Sequence, residues 1–436
     1  MHLSDSIIGR INGLKFILSP FKRSRDEILH FQQSQMRRII NHAYYNVPYY
    51  RRLFDSNGVR PQDIRSLDDL RHVPVTSKKD LISLPSRDVI TAGINESRLL
   101  TYTTSSTSGI PSTSRRTWIE QRINDYVRWR AKYHMGLRPG DTVALVHFIY
   151  EHGAVEKSSH MWGISDLFQI HEINCLDPPE AILNKLKCLN PDVIIGYPGV
   201  LIRVADLTLE HSEQTLSPRL VVSGGEVLSP HMRSVIDNAF STRVFNNYGC
   251  TEVNQIGWEC RKTGHFHVCD DNIIVEIVKN GQMVNEGEAG EVVITTLNAF
   301  AAPLIRYCPG DIAWRGPDQC SCGAQWSVLG EVEGRKVDYF VLPDGRLMHA
   351  WKLFDPIFMH AYDWIRQYQI VQEKRDLVVL RLVPRKYSWP EEIKRLKAGI
   401  MKELGSGIEF KVLITEKIPP LPNGKYANYV SLVSEE

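Results

Sequence analysis

Leu220-Val-Val-Ser-Gly-Gly-Glu226 is the stretch from which the fold is read: three consecutive aliphatic residues that end in two glycines and a carboxylate. A run that is apolar at every position belongs to a strand buried on both faces, the habit of a parallel sheet covered by helices. Outward from it, the same texture recurs at Val143-Ala-Leu-Val146 and Val193-Ile-Ile195, while Glu180 to Leu189 and Pro230 to Phe240 carry helical patterns. Between Thr142 and about Phe245 the alternation predicts an α/β region with crossover helices.

The texture changes on either side. Asp26 to about Leu53 reads as helices, with Pro48 ending one in the aromatic stretch His42-Ala-Tyr-Tyr-Asn-Val-Pro-Tyr-Tyr50. After Gly264 come closely spaced strands, Ile273 to Val278 and Gly290 to Thr295, with a turn at Asn280-Gly281. A second break falls near Gly334-Arg335. Beyond it, strands at Gln367 to Gln372 and Leu377 to Leu382 and a helix from Pro390 to Leu404 predict a compact α+β unit.

At 436 residues the chain exceeds what one hydrophobic core organises, so at least two packed units are expected. With 43% hydrophobic and 23% charged residues it is not a disordered chain. The 52 basic and 50 acidic side chains nearly cancel, which argues against nucleic acid as a partner. No apolar run approaches the roughly 20 residues that span a bilayer, and no signal-peptide core is visible, so a cytoplasmic location is expected. Ile7, Ile8, Ile11, Leu14, Phe16, Ile17 and Leu18, interspersed with Arg10 and Lys15, allow two readings. One is a helix lying peripherally on a membrane; the other is a helix docked on the protein's own body. A homodimer is a further partner expectation.

Four segments carry chemistry. In Thr101 to Ser114, nearly all Ser and Thr with a turn at Gly109-Ile-Pro111, small residues let backbone N–H groups converge on one anion. Phe245-Asn-Asn-Tyr-Gly-Cys-Thr-Glu252 turns at Gly249 and presents a carboxylate suited to Mg²⁺. Pro303-Leu-Ile-Arg-Tyr-Cys-Pro-Gly-Asp311 brackets a turn with Arg306 and Asp311; Asp311 could accept two ribose hydroxyls, or the two could form an ion pair. Leu421-Pro-Asn-Gly-Lys425 presents one lysine on a turn near the C-terminus, a point charge able to meet developing negative charge. Each segment alone is also a plain surface turn.

In this order and spacing the four segments resemble the adenylate-forming superfamily, and most closely its phenylacetate-CoA ligase and CapK-like group. Ile40 to Arg51, Ser66-Leu-Asp-Asp-Leu70 and Pro74-Val-Thr-Ser-Lys-Lys-Asp80 resemble that group's N-terminal region. The resemblance implies an α/β fold with a large N-terminal adenylation domain, 1–333, of stacked mixed sheets and helices, in which 264–333 form a β-rich, zinc-bearing subdomain. A small, mobile C-terminal α+β domain, 334–436, would carry the catalytic lysine. It implies ATP-dependent conversion of a small carboxylic acid to an acyl-adenylate, with AMP as the other product after transfer to coenzyme A or an amine, in a setting such as polysaccharide biosynthesis. Ser105, Ser106, Thr107, Ser108 and Gly109 would hold the β- and γ-phosphates. Gly225 and Glu226 would line the adenine; Asn247, Tyr248, Gly249 and Thr251 would flank the nucleotide; and Arg306 is grouped with them. Glu252 would ligate Mg²⁺, Asp311 would hold the ribose, Arg335 would sit at the hinge near the phosphates, and Lys425 would bridge the acid and the α-phosphate. Three positions depart from the family pattern: Ser106 stands in place of Gly, Ile110 in place of Lys, and Val337 in place of Asp, with Asp338 following. They motivate a rival reading, a catalytically silent relative that binds nucleotide or acyl ligand as a regulatory or assembly protein.

Eight cysteines without a secretory signal argue against a disulfide framework. Cys260, His265, His267, Cys320 and Cys322 offer instead the thiolate and imidazole ligands of a structural Zn²⁺ site, with buried free thiols as the alternative. The resemblance places Cys260 and His267 at zinc positions, Cys320 and Cys322 complete the expected set, and His265 is the rival to His267. For the acid, Val146-His-Phe-Ile-Tyr-Glu-His-Gly153 and Gly196-Tyr-Pro-Gly199 follow buried strands at the sheet edge where such folds bind ligands. His147, Tyr150, Glu151 and His152 favour a small polar or aromatic acid.

Overall fold

The computed structural model describes residues 23–103, 113–149, 167–210, 216–335, 339–343, 345, 347–359, 364–385, 390–405, 407–421 and 423–433. The opening apolar segment, Ser105 to Ile110, Tyr150 to Gly153, Val337 and Asp338 lie outside them.

Five parallel strands lie side by side in the order Val244–Tyr248, Leu220–Gly224, Val193–Gly196, Thr142–His147 and Gln169–Asn174. The uniformly apolar runs are explained by what covers each face. Val143, Val193, Ile195, Leu220 and Val222 enter a core shared with Val127, Ala131 and Met135 of the helix Trp118–Met135. Their alternates Ala144, Val146, Ile194, Val221 and Val244 pack on the opposite face against Leu186, Leu201 and Ile236. Those three come from the helices Pro179–Leu189, Pro198–Glu210 and Pro230–Phe240. Each aliphatic side chain so buried contributes roughly 1.5–3 kcal/mol, so a sheet apolar on both faces needs helices on both. The crossover helices begin where the sequence permits: Pro179 and Pro230 stand in the first turn, and Ser229 Oγ accepts from the Met232 amide at 3.3 Å.

The sheet does not stop at Tyr248. Gly257–Glu259 pairs antiparallel with Val244–Tyr248, and a 14-stranded sheet continues through Phe266–Val268, Val328–Arg335, Asp311–Arg315 and Ala289–Thr296. The stretch 264–333 thus adds its strands to the same hydrogen-bonded path as the parallel strands. Asn280 (φ 53°) and Gly281 (φ 80°) both take positive φ, the requirement of a tight two-residue hairpin turn. At the N-terminal end, Arg25–Asn46 and Pro48–Ser56 are helices, and Pro48 opens the second. Ile39, Ile40, Tyr50 and Phe54 pack there on Ile274 and Ile305 of the antiparallel half.

Past Arg335 the chain builds a separate core. A four-stranded sheet in the order Glu409–Ile414, Leu377–Pro384, Ile365–Lys374, Tyr429–Ser431 packs on the helices Ala350–Met359 and Pro390–Leu404 through Phe354, Ile370, Leu380 and Ile400. Among the described residues no helix is long and apolar enough to cross a membrane.

Candidate functional site

Parallel strands end in loops at one edge of the sheet, and ligands of open α/β folds bind in the crevice there. At that edge the Leu220–Gly224 strand runs into Gly225, whose φ of +80° turns the chain and leaves its carbonyl facing outward to Lys425. Lys425 Nζ donates to the Gly225 carbonyl at 2.7 Å and lies 5.3 Å from the centre of the Tyr197 ring. The turn that delivers it is closed by Gly424 N donating to Leu421 O and Leu421 N donating to Lys425 O, both at 2.8 Å. Gly424 has φ +78°, and a Cβ there would lie 2.2 Å from Cys175 Sγ, so only glycine seats the turn. Burial holds the Lys425 ammonium below the ordinary lysine range, against the pull of Glu226.

Glu226 clasps two segments. Its half-buried carboxylate accepts from Gly199 N at 2.9 Å and from Tyr426 N at 2.8 Å, while desolvation raises its pKa. At the next strand end, Tyr248 Oη donates to Asp311 Oδ2 at 2.7 Å. Asp311 faces Arg335 in register across neighbouring strands. Burial raises the Asp311 pKa, with Tyr248 and Arg335 acting in the opposite direction. Glu252 accepts from Tyr307 Oη at 3.2 Å and lies 3.8 Å from Lys78 Nζ.

Gly225, Glu226, Asn247, Tyr248, Gly249, Thr251, Glu252, Asp311, Arg335 and Lys425 all line one cavity of about 400 Å³. Thr103, at the entry to the Ser/Thr loop, lines it too, while Ser105, Ser106, Thr107, Ser108 and Gly109 lie outside the described residues. His147, Phe148 and Tyr197 from the two stretches expected around the acid complete that wall. Arg306 is not brought there. It is buried at φ 44°, its guanidinium paired with Glu276 at 3.0 Å and donating to the carbonyls of Arg71 and Val73. Those bonds occupy a side chain that local sequence had set beside Asp311. Lys78, His349 and Trp351 also line the cavity and were not singled out from sequence. Lys78 sits in the quoted Pro74 to Asp80 stretch, but nothing local to it signals a partner 174 positions on (252 − 78).

The second constellation lies in the antiparallel half. One ligand atom from each of Cys260, His267, Cys320 and Cys322 falls within 4.8 Å of the others. Cys260 Sγ and Cys320 Sγ are 3.8 Å apart, and Cys322 Sγ is 3.3 Å from His267 Nε2. Three soft thiols and one imidazole, largely buried, match the donor set of a closed structural zinc site. His267 belongs to the cluster; His265 does not. Burial keeps His267 unprotonated, its pKa down to about 4.

Residues 99–301 match the model of the AMP-binding enzyme family, and residues 340–431 match the CapK C-terminal domain. The matched domains and the curated relatives, phenylacetate-CoA ligases and CapK, support the resemblance to the adenylate-forming group. Phenylacetate-coenzyme A ligase of Thermus thermophilus is 27% identical over 330 residues, covering 73% of this chain and 72% of that one. Protein CapK of Staphylococcus aureus is 23% identical over 245 residues, 56% of this chain and 53% of that one. In fold, the chain superposes on a 2-hydroxyisobutyryl-CoA ligase crystallised with its acyl-AMP, with a TM-score of 0.76 and 19% identity over 92% of this chain and 88% of that one.

Proposed function

We propose that this chain is an AMP-forming ligase that converts a small carboxylic acid to its acyl-adenylate and passes the acyl group to the thiol of coenzyme A. The observation that carries the reading is the arrival of Lys425 in the cavity that also holds Glu252, Asp311 and Arg335. In the first step a carboxylate oxygen attacks the α-phosphorus of ATP, the α–β P–O bond breaks, and pyrophosphate leaves. Lys425 and Arg335 place positive charge where the five-coordinate phosphorus gathers negative charge. Asp311, with Tyr248 fixing one of its oxygens, is left to accept from the ribose. Glu252 would hold Mg²⁺, which supplies charge neutralisation on the leaving phosphates; that Lys78 already stands near its Oε1 marks the spot as one that favours a cation.

In the second step the thiolate attacks the acyl carbonyl and AMP departs. Both the phenylacetate-CoA ligase relatives and the solved 2-hydroxyisobutyryl-CoA ligase bear names that favour the thiol. The alternative implied by the sequence resemblance to the CapK-like group is an amine acceptor in polysaccharide biosynthesis. We read 1–333 and 334–436 as two bodies, the second rotating between the steps. The Cys₃His cluster would hold structural Zn²⁺ away from the chemistry.

ATP–pyrophosphate exchange with a panel of small aryl and hydroxy acids tests the first step. At least one acid should support exchange, and Lys425→Ala should lower it by about 10² to 10³ while sparing ATP binding. If no acid supports exchange and Lys425→Ala is indistinguishable from the wild type, the chain is the silent relative instead.

A further inference from the structure

His349 closes the strand Leu347–His349 and leads into the helix Ala350–Met359. It is 6% exposed, yet neither ring nitrogen has a hydrogen-bond partner among the described residues. The polar groups around it are already committed. The Glu333 carbonyl accepts from Trp351 Nε1 at 3.0 Å, and the Glu333 carboxylate takes Trp314 Nε1, Tyr339 Oη and Lys352 Nζ. The Tyr339 and Trp351 rings stand edge-on to the imidazole at 4.6 and 5.6 Å between centres. Apart from the Glu333 carbonyl, whose second lone pair also acts on the ring, what remains to His349 is the cavity, which it lines together with Trp351, Val332, Arg335 and Asp311. A buried ring nitrogen left unused calls for a ligand.

We propose that His349 is a nucleotide-contacting residue that hydrogen-bonds the ribose hydroxyls in the cavity it shares with Asp311. This rests on the reading of that cavity as an ATP site. Asp311 faces Arg335 in register, and Glu333, two residues earlier on the same strand, holds Trp351 through its carbonyl. His349 and Asp311 line the same cavity as that strand end. Burial lowers the imidazole pKa to about 4, with the Glu333 charge and the Glu333 carbonyl opposing it, so the ring is neutral at pH 7. Taking a proton from an acceptor thiol of ordinary pKa about 8.5 would run uphill by more than four units, so a role as base is poor. A neutral imidazole offers one donor and one acceptor, and a hydroxyl offers the same pair in return.

The test is equilibrium binding of ATP, 2′-deoxy-ATP and 3′-deoxy-ATP to the full chain and to His349→Phe and His349→Asn. His349→Phe should bind ATP about tenfold more weakly and lose about tenfold of the wild-type preference for ATP over at least one deoxynucleotide. His349→Asn, which keeps a donor and an acceptor, should recover part of both and serves alone if His349→Phe fails to fold. Unchanged affinity and unchanged discrimination in both variants overturn the inference while leaving the ATP site standing. A raised KM for the acyl acceptor with normal ATP affinity also overturns it, assigning His349 to the acceptor. Failure of the wild type to bind ATP at all removes the adenylation reading itself.

Discussion

Gly249 shows how little freedom the cavity leaves a single residue. A Cβ there would lie 2.1 Å from the Asn254 carbonyl oxygen, far inside van der Waals contact and against backbone that has no rotamer to change. Gly249→Ala must therefore shift the turn that carries Tyr248, Thr251 and Glu252. The expected outcome is a melting temperature lower by about 2–6 °C and ATP binding weakened at least about tenfold, read by differential scanning fluorimetry and calorimetric titration. A variant that melts and binds like the wild type would show the turn to be looser than described. At this scale, what was legible in sequence was where local pattern places a polar group: a lysine on a Pro/Gly turn, a carboxylate after a strand end, both lining the one cavity. The Arg306 partner was not legible because an arginine's partner is chosen by the fold, and Glu276, 30 positions earlier, takes it. His349 and Lys78 stayed invisible for the same reason.

The strand pair Gly257–Glu259 and Phe266–Val268 works as an element: it holds His267 opposite Trp258 and brings Cys260 toward the Cys320-Ser-Cys322 knuckle. Residues 265 and 267 share a face in a period-two pattern, so sequence alone could not choose between the two histidines; the knuckle more than fifty positions on decides it. With zinc bound, Cys320→Ser should reduce metal from about one equivalent to less than half by elemental analysis and lower the melting temperature, with chelation of the wild type reproducing the loss. Normal metal content in the variant would leave the cluster as buried thiols. The parallel strands were legible because burial on both faces removes polar positions altogether. That the 257–335 strands extend the same sheet was not, since lateral order leaves no mark on a strand's own pattern.

Across the whole molecule, Arg385 at the end of the Leu377–Pro384 strand reaches the Pro198–Glu210 helix, pairing with Asp206 at 3.1 Å and Glu210 at 2.6 Å. Burial pushes the Asp206 carboxyl up to about 6, with Arg385 restraining the rise. A carboxyl raised above its ordinary value favours the folded state most at low pH, and that contribution is lost as pH climbs through about 6. In Arg385→Gln the ionised Asp206 loses its nearest cation, whereas the protonated form loses little. The melting-temperature gap between Arg385→Gln and the wild type should therefore be small at pH 5 and widen to several degrees by pH 7.5; a gap that does not change with pH would rule out Asp206 as its source. The clasp made by Glu226 has a different consequence. Its carboxylate holds Gly199 N beside the acid's wall and Tyr426 N beside the lysine, and a Cβ on Gly199 would already press on both Glu226 and Tyr426. An acid too bulky for that wall would displace the first turn of the Pro198–Glu210 helix, where Gly199 sits, and so cost Tyr426 its anchor. Under the proposed chemistry such an acid is screened by turnover and not by affinity: it is admitted, held, and denied the lysine.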